Sequence, residues 1–547
     1  MILHVNHTSP GARLASSASE LVGTLLALVE EGRADARLLP TLRVHVDWIQ
    51  YRANFREPVT VRRATDGRGE PMALAEIAVD LRQAEPARFR DALARALAAL
   101  GPEPPEDLGR LPLDDFAPIR DSLIWQFNRL FWQRLGEWEQ ASGRGFEDAL
   151  PSGRSDANHP EAVADSVGDF WTLLRDVDKR AQLPPEIFAL EIGVGSGTRA
   201  ALWLDRFKVL DEERGTGYYP RLRFLLGDYS LPTLDRAMAA VARHKNAVSV
   251  LALDALNPFR TLSFLRYKIL YIHLTNVYDN LPHDEMVRRD GRLYLVEARA
   301  YLPVEAARRI SEDFGLAAAE LPRVVSRLLE VGPEVVGDRG RGVAFWRAVW
   351  DGVRLEERLV ALDDLSQAPL PAGLDQSHLE DLLREAPEDV RFHLSRGAAE
   401  SFVNTLPLLH PRGYLQVQDI FVTSMGEYRQ GFRGPGKLDG AVVSWVNGAL
   451  LRAIGARSRT ILGIFVMEGI LQGMLSWLIA IPIALLVSPS AASIMGHVMF
   501  GATLDYQFNW SAVGVWLGII VFVSILASIL PARSAIRISV RDSLAYA

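Results

Sequence analysis

The chain of 547 residues contains no cysteine. That excludes disulfide scaffolds, thiolate zinc sites, iron–sulfur clusters and cysteine nucleophiles together. It has no basic excess either. Lys and Arg number 60 against 67 Asp and Glu, a formal charge of −7, which argues against a uniformly basic nucleic-acid binder. None of the 11 histidines stands in an H-E-x-x-H or similar spacing, so no metal cluster is expected. No Walker phosphate loop occurs in the sequence. The stretch Met1 to Pro10 has no basic segment leading into an apolar run, so no secretory signal is read there. The soluble part is therefore expected in the cytosol. A hydrophobic fraction of 49% and a charged fraction of 23% are those of a folded chain, and the length predicts roughly three or four domains.

Charge is unevenly spread. After Asn447 the only cations are Arg452, Arg457, Arg459, Arg533, Arg537 and Arg541, and the only acids are Glu468, Asp505 and Asp542. The acidic excess belongs entirely to residues 1–447. Within that part, Leu21 to Val29 is apolar but too short to span a bilayer, and Glu20 and Glu30 flank it, which predicts a core helix. Residues 42–51 alternate like a strand, and 86–100 read as helix. Asp121 to Ala141 sets Leu123, Phe127, Leu130, Phe131 and Leu135 at helical spacing, with Asp121 as N-cap. An amphipathic helix on a core and an aromatic floor for a ligand both fit that pattern. Residues 1–162 are thus expected to be a mainly helical region, closing in the turn-rich stretch 142–162.

Residues 187–192 (IFALEI) predict a short apolar strand. Glu191-Ile-Gly193-Val-Gly195-Ser-Gly197-Thr198 follows, and then a helix from Arg199 to Leu210. Strand, glycine turn and helix make the first half of a nucleotide-binding βαβ unit. Glycines permit positive φ and let a ligand lie against bare backbone, and the helix behind them offers free N–H groups. The spacing is G-x-G-x-G, neither a phosphate loop nor the G-x-G-x-x-G of dinucleotide folds. Further strands are expected at 221–227, ending in Asp228, and at 248–253, ending in Asp254. Three more are expected at 268–274, 292–298 and 413–421. Asp228 or Asp254 alone is equally well read as a helix N-cap; together, at successive strand ends after the glycines, they predict a ligand crevice.

The glycine run with its preceding acid resembles motif I (E/D-x-G-x-G-x-G) of class I S-adenosylmethionine-dependent methyltransferases. The resemblance implies a Rossmann-like α/β sheet that binds S-adenosyl-L-methionine. Gly193, Gly195 and Gly197 would approach the cofactor, Glu191 would lie near its methionyl end, Asp228 on the ribose and Asp254 on the adenine. Tyr278-Asp279-Asn280-Leu281-Pro282 resembles the F-D-A-L-P loop of the family that includes the complex I assembly arginine methyltransferase. That family's motif begins Asn-Glu, where this chain has Thr275-Asn276. Asn276 and Asp279 would line the substrate side, with Asp279 orienting or deprotonating the nucleophile and His273 and His283 as nearby alternatives. The domain is expected over 163–450, with a helical insertion or cap at 301–410.

Ile461 to Val487 carries one charge and Ala512 to Leu530 none, and each is long enough for a ~30 Å hydrocarbon core. These predict two transmembrane helices, 461–487 and 512–530, within a segment 451–547. Arginines lie outside both ends of the pair and none lies between, which places both ends in the cytoplasm. The segment resembles the carboxyl end of FtsX/MacB-type ABC transporter permeases. The resemblance rests on Leu451-Arg-Ala-Ile-Gly-Ala-Arg457, Glu468-Gly469, Leu530-Pro-Ala-Arg533 and Val540-Arg-Asp-Ser-Leu-Ala-Tyr546. It implies an ABC ATPase subunit as partner through 451–459.

The expectation is a methyltransferase, its acceptor left open with a protein substrate as one candidate, held at the inner (cytoplasmic) membrane by a permease-like hairpin embedded in the lipid bilayer. No nucleic acid is expected. The alternative is a non-enzymatic permease component with a degenerate soluble domain.

Overall fold

The computed structural model describes residues 2–5, 12–46, 53–80, 86–100, 109–150, 155–371, 373–431, 434–455, 458–502 and 506–538. The chain divides into two units, Met1–Leu451 and Arg452–Ala547.

In the first unit, β1 (Ile2–Val5), β2 (Arg43–Val46), β3 (Val59–Thr65), β4 (Pro71–Val79), β5 (Arg110–Pro112) and β6 (Ala117–Pro118) precede the glycine turn. β7 (Ile187–Ile192) leads into that turn, followed by β8 (Leu222–Asp228), β9 (Val248–Ala252) and β10 (Ile269–Thr275). Then come β11 (Asp284–Arg289), β12 (Arg292–Pro303), β13 (Arg354–Ala361), β14 (Val390–Leu394) and β15 (Leu409–Gln418). The helices that matter for the site are α1 (Ala12–Glu30), α2 (Pro86–Leu100), α3 (Leu123–Gln133), α4 (Leu135–Ser142), α5 (Pro160–Lys179), α6 (Thr198–Arg214) and α7 (Leu231–Ala240).

Two sheets result. Five strands pair in the order β15-β10-β7-β8-β9, every neighbour parallel. The strands β7 and β10, IFALEI and ILYIHLT, are buried along almost their whole length. Continuous apolar strands of this kind need helices on both faces. One face packs on α5, α6 and α7 through Phe170, Trp203, Phe207, Leu234 and Ala237. The other carries Leu190, Ile192, Ile272 and Leu274 against Leu262, Ala398 and Leu408. Trp203 stacks on Phe207 and Tyr271 at 5.0 and 5.7 Å, and loss of such a buried ring typically costs about 3–5 kcal/mol.

The second sheet has ten strands, in the order β1-β2-β4-β3-β13-β12-β11-β14, with β5 and β6 paired to β12. α1 and α2 pack on its amino-terminal end through Leu21, Leu25, Leu28, Leu93 and Leu97. α3 buries Leu123, Phe127, Leu130 and Phe131, the residues expected at helical spacing, in a core shared with Trp346 and Trp350. Ser122 rather than Asp121 stands at its N-cap position, and the helix breaks at Arg134 before α4.

This sheet qualifies one expectation and corrects two. The described part of 1–162 holds more helix than strand, but β1 to β6 also lie in it. Residues 292–298 are not a strand of the parallel sheet. Asp290 and Gly291, with φ of 49° and 76°, close a two-residue hairpin that returns β12 antiparallel to β11, the turn that an Asp-Gly pair favours. The insertion 301–410 is not simply helical, since it carries β13 and β14. β13 (RLEERLVA) buries every second side chain, Leu355, Glu357, Leu359 and Ala361, as a half-covered strand does. Its charged letters conceal that alternation.

In the second unit, helices Ser458–Phe500 and Trp510–Ile538 run antiparallel. A Cβ on Gly473 would stand 2.5 Å from Ser524 Oγ, and Trp477 donates to the Val513 carbonyl at 3.1 Å. Among the described residues, Gly469–Phe500 is long and apolar enough to cross a membrane, while the apolar stretch Trp510–Ile525 is shorter. The structure thus supports one span by length and composition, and it overlaps the expected 461–487. Arg457, Asp505 and Arg541, used in the charge argument, lie outside the described residues.

Candidate functional site

The order of the parallel sheet reverses at β7. The chain goes from β7 outward to β8 and β9, then crosses to β10 on the other side. Loops leaving β7 and β10 therefore part in opposite directions, which opens a crevice at their carboxyl ends.

The glycine turn forms one wall of that crevice. Gly193, Gly195 and Gly197 have φ of 74°, 56° and 78°, a region that Cβ-bearing residues avoid. Their surroundings differ. A Cβ on Gly193 would fall 2.5 Å from Val277 Cγ2, and one on Gly197 would fall 2.6 Å from Ala237 Cα. Those two glycines let the turn pack against the β10 loop and α7. A Cβ on Gly195 would meet nothing within 4 Å among the described residues. Gly195 thus presents bare backbone to open space at the switch point.

The expected acids occupy adjacent strand ends, in three different states. Asp228 closes β8, where its Oδ2 accepts from Gly195 N at 3.2 Å and its Oδ1 from Ser230 N at 3.0 Å. Burial raises its pKa, and those N–H groups oppose the rise. It ties the glycine turn to the neighbouring strand. Asp254 lies just beyond β9, exposed, with Oδ1 accepting from Leu256 N at 2.9 Å. Glu191 points the other way. It shares a strand face with Ile187 and Ala189 and is buried against Arg199 of α6, Oε2 to Nη1 at 3.0 Å. Arg199 also donates to Tyr271 OH at 2.7 Å and Ser166 Oγ at 3.2 Å. Glu191 therefore anchors α6 beneath the turn, and removing one partner of such a buried pair typically costs about 3–5 kcal/mol.

The opposite wall is the loop after β10. Asn276 is exposed and has φ of 51°, a conformation asparagine tolerates better than most residues. Asp279 is buried, and its Oδ1 accepts from Asn280 Nδ2 at 2.6 Å. Asp419, directly after β15, was not singled out from the sequence and holds this loop. Its Oδ2 accepts from the backbone N–H of Val277, Tyr278 and Asp279 at 3.1, 2.8 and 3.3 Å, and its Oδ1 from Ile420 N at 2.8 Å. Burial lifts Asp419 to about 6 against those four bonds. Burial, and then the Asp419 charge, push Asp279 well above the usual carboxylate range. The sequence signal for Asp419 was the one that marked Asp228 and Asp254: an acid at the carboxyl end of a parallel strand.

His273 lies inside β10, fully buried, with Nε2 at 2.5 Å from Thr275 Oγ1. Burial, together with the Arg199 charge, holds it well below its ordinary pKa, so it is a neutral core residue. His283 leaves the loop in another direction and packs against Trp125 and Ser444. The α3–α4 segment reaches the same crevice. Ser196 donates to Glu147 at 2.7 Å, and Gln133 donates to the Tyr229 hydroxyl at 3.0 Å.

Residues 447–540 match the family described as FtsX-like permease C-terminal. That match covers the tail and the last residues of the first unit. No curated protein matches the chain. Among solved structures, a COG1565 superfamily member and likely methyl transferase from Burkholderia thailandensis, bound to S-adenosyl-homocysteine, is similar at 12% identity and a TM-score of 0.36. The alignment covers 62% of this chain and 71% of that one. An uncharacterised COG1565 superfamily protein from the same organism gives 13%, 0.35, 62% and 70%. The DszA carbon methyltransferase gives 18%, 0.20, 37% and 48%.

Proposed function

We propose that the first unit is an S-adenosylmethionine-dependent methyltransferase and that the permease-like tail tethers it to the lipid bilayer. The observation that supports this most is the open backbone at Gly195 with Asp228 hydrogen-bonded to it, at the reversal point of a parallel sheet. A ligand lies close to backbone there because no Cβ intervenes. The cofactor, when bound, supplies an activated methyl group on sulfur. The protein then needs to position and desolvate the reactants. Asp228 retains free lone pairs for ribose hydroxyls, since a carboxylate has about four acceptor sites and two are in use. Asp254, exposed beside it, faces the position of the base. Glu191 contributes indirectly, by fixing the start of α6.

On the acceptor side, Asp279 is the group to take a proton from the attacking nucleophile. Burial and the Asp419 charge raise its pKa, which makes its carboxylate a stronger base than an exposed one. Asp419 positions Asp279 through the backbone N–H bonds of the loop. Asn276 stands where a nucleophile enters. The acceptor itself is proposed as a protein side chain.

For the tail, the family match supports membrane association, with Gly469–Phe500 as one span. The second span, the cytoplasmic placement of both ends, the inner-membrane location and an ATPase contact through 451–459 are part of the proposal. They rest on the arginine distribution and the match.

Isothermal titration of the full chain with S-adenosylmethionine tests the assignment. Saturable binding is expected, and Gly195→Arg should abolish it. The substitution itself costs only about 1–2 kcal/mol of stability for a left-handed residue. Absence of heat at millimolar cofactor would overturn the reading and favour a non-enzymatic permease component.

A further inference from the structure

We propose that His283, Glu285 and His393 bind one divalent metal ion of the zinc or ferrous type. The three converge from paired strands. Glu285 on β11 stands opposite His393 on β14, and His283 immediately precedes β11. All three are buried, at 2%, 0% and 0% exposure, and their ligand-capable atoms lie within 4.8 Å of one another. Glu285 Oε1 is 3.5 Å from His283 Nε2 and 3.9 Å from His393 Nε2. Donors around a tetrahedral ion with bonds near 2.0–2.1 Å stand about 3.4 Å apart. The two Glu285 distances are within about 0.5 Å of that spacing, and the imidazoles, which lie within 4.8 Å, close the rest by rotating about their side-chain bonds.

One further observation points to an occupant. Glu285 Oε1 is fully buried, and the nitrogens facing it, His283 Nε2 at 3.5 Å and His393 Nε2 at 3.9 Å, stand too far for well-made hydrogen bonds.

The surroundings are those of a metal site's outer shell. Arg391 Nε binds the other oxygen of Glu285, which fixes the carboxylate's orientation. Tyr428 OH lies 3.2 Å from His393 Nδ1, which leaves Nε2 facing Glu285. Ser444 Oγ is 3.3 Å from His283 Nε2, a hydrogen bond that a bound ion would replace. Two imidazoles and one carboxylate, the latter shared with a guanidinium, suit a borderline ion. Calcium and magnesium prefer several oxygen donors. The sequence conceals the set because the two histidines are far apart in the chain and only strand pairing joins them.

The site is independent of the methyl-transfer reading, and its test needs no cofactor. Untagged full-length chain, stripped with chelator, is titrated with Co2+ and followed by visible absorption and by metal analysis. One equivalent per chain with a saturable d–d band is expected, together with a rise in the thermal midpoint and displacement by Zn2+. Glu285→Gln and His283→Gln should each weaken binding by more than about 100-fold, the loss that outer-shell changes alone approach. Wild-type chain that stays metal-free at millimolar Co2+ overturns the proposal, and so do variants with unchanged binding. Should the variants fail to fold, spin-echo spectroscopy on Cu2+-loaded wild type decides instead. Two coordinated imidazoles support the site, and one or none overturns it.

Discussion

In the parallel sheet, the acids Asp228, Asp254 and Asp419 stand at the carboxyl ends of strands, while the strand bodies are apolar. In the ten-stranded sheet the charges lie inside. Arg62, Glu76, Glu285, Arg289, Glu357 and Arg391 are all buried on strands of that sheet. Glu357 accepts from Arg391 at 2.8 and 2.9 Å, from Arg62 at 2.6 Å and from Arg56 at 3.2 Å. Glu76 meets Arg289 at 2.6 Å. A carboxylate at a strand end keeps sites for a ligand, as at Asp228 and Asp254, unless a loop takes them, as at Asp419. A carboxylate inside a sheet is committed to neighbours and specifies which strands pair. Glu191 belongs to the second kind although it lies in the first sheet, because its partner Arg199 is buried with it.

The sharpest way to break that contrast is to remove a member of the interior network. Glu357→Ala removes the carboxylate that Arg56, Arg62 and Arg391 share, although Arg391 keeps Glu285. The loss of a buried pair alone typically costs about 3–5 kcal/mol, and here three pairs are lost together. The expected result is a chain that unfolds at much lower urea, or that does not accumulate folded at all, measured by circular dichroism. A mild effect of under about 1 kcal/mol would show that the network is solvated rather than buried.

The Asp279–Asp419 pair offers a subtler test, because it combines burial with a place at the strand ends. Both carboxyls have folded-state pKa values above the unfolded value of about 3.9, Asp419 at about 6 and Asp279 raised well above the usual range by burial and by its neighbour. A folded state that binds more protons than the unfolded one loses stability as pH rises. The stabilisation is complete below about pH 4 and disappears as pH rises through 6 and beyond. Asp279→Asn carries no titrating charge at that position and relieves the repulsion. Its stability relative to wild type should therefore increase from pH 5 to pH 8. The gain is up to about 1.4 kcal/mol for each pH unit in which folded wild type holds one proton more than the unfolded chain. Urea unfolding of both chains at the two pH values measures it. A difference that stays flat across that range would mean Asp279 is ionised throughout. Methyl transfer by the variant should fall by about 100-fold or more if Asp279 is the base.

Much of this site was legible before the fold was seen. The G-x-G-x-G turn, the strands at 187–192, 221–227, 248–253 and 268–274 and the acids at their ends depend on local order, because parallel strands here follow one another along the chain. Gly195 and Asp228 meet across adjacent strands, as their places in the motif implied. The ten-stranded sheet was less legible for a physical reason. β13 pairs with β3 through Arg358 and Arg63, and β11 with β14 through Glu285 and His393. Nothing local announces such distant partners, and the interior positions of β13 include a glutamate where a hydrophobic residue would have marked the buried face. One local signal was available and missed. Asp290-Gly291 marks a hairpin, and it separates β11 and β12 from the parallel sheet. Asp419 escaped notice because the expected strand 413–421 ran past it, whereas β15 stops at Gln418 and leaves it at a strand end.

The smallest expected effect concerns Asp254, which sharpens the contrast from the other side. Its side chain is exposed and bonds locally, in a turn, to Leu256 N. Asp254→Asn keeps an oxygen acceptor for that turn, so stability should change by under about 0.5 kcal/mol. If its second oxygen accepts from the cofactor's base, the loss of that bond is worth about 0.5–1.5 kcal/mol, or roughly 2- to 12-fold in affinity. Titration with S-adenosylmethionine beside a thermal melt separates the two quantities. Weakened binding with an unchanged melt marks a ligand-facing strand end, as the parallel sheet requires. An unchanged affinity would reduce Asp254 to a turn residue and leave Asp228 as the acid that meets the cofactor, because Asp228 is the one bonded to the open glycine of the crevice.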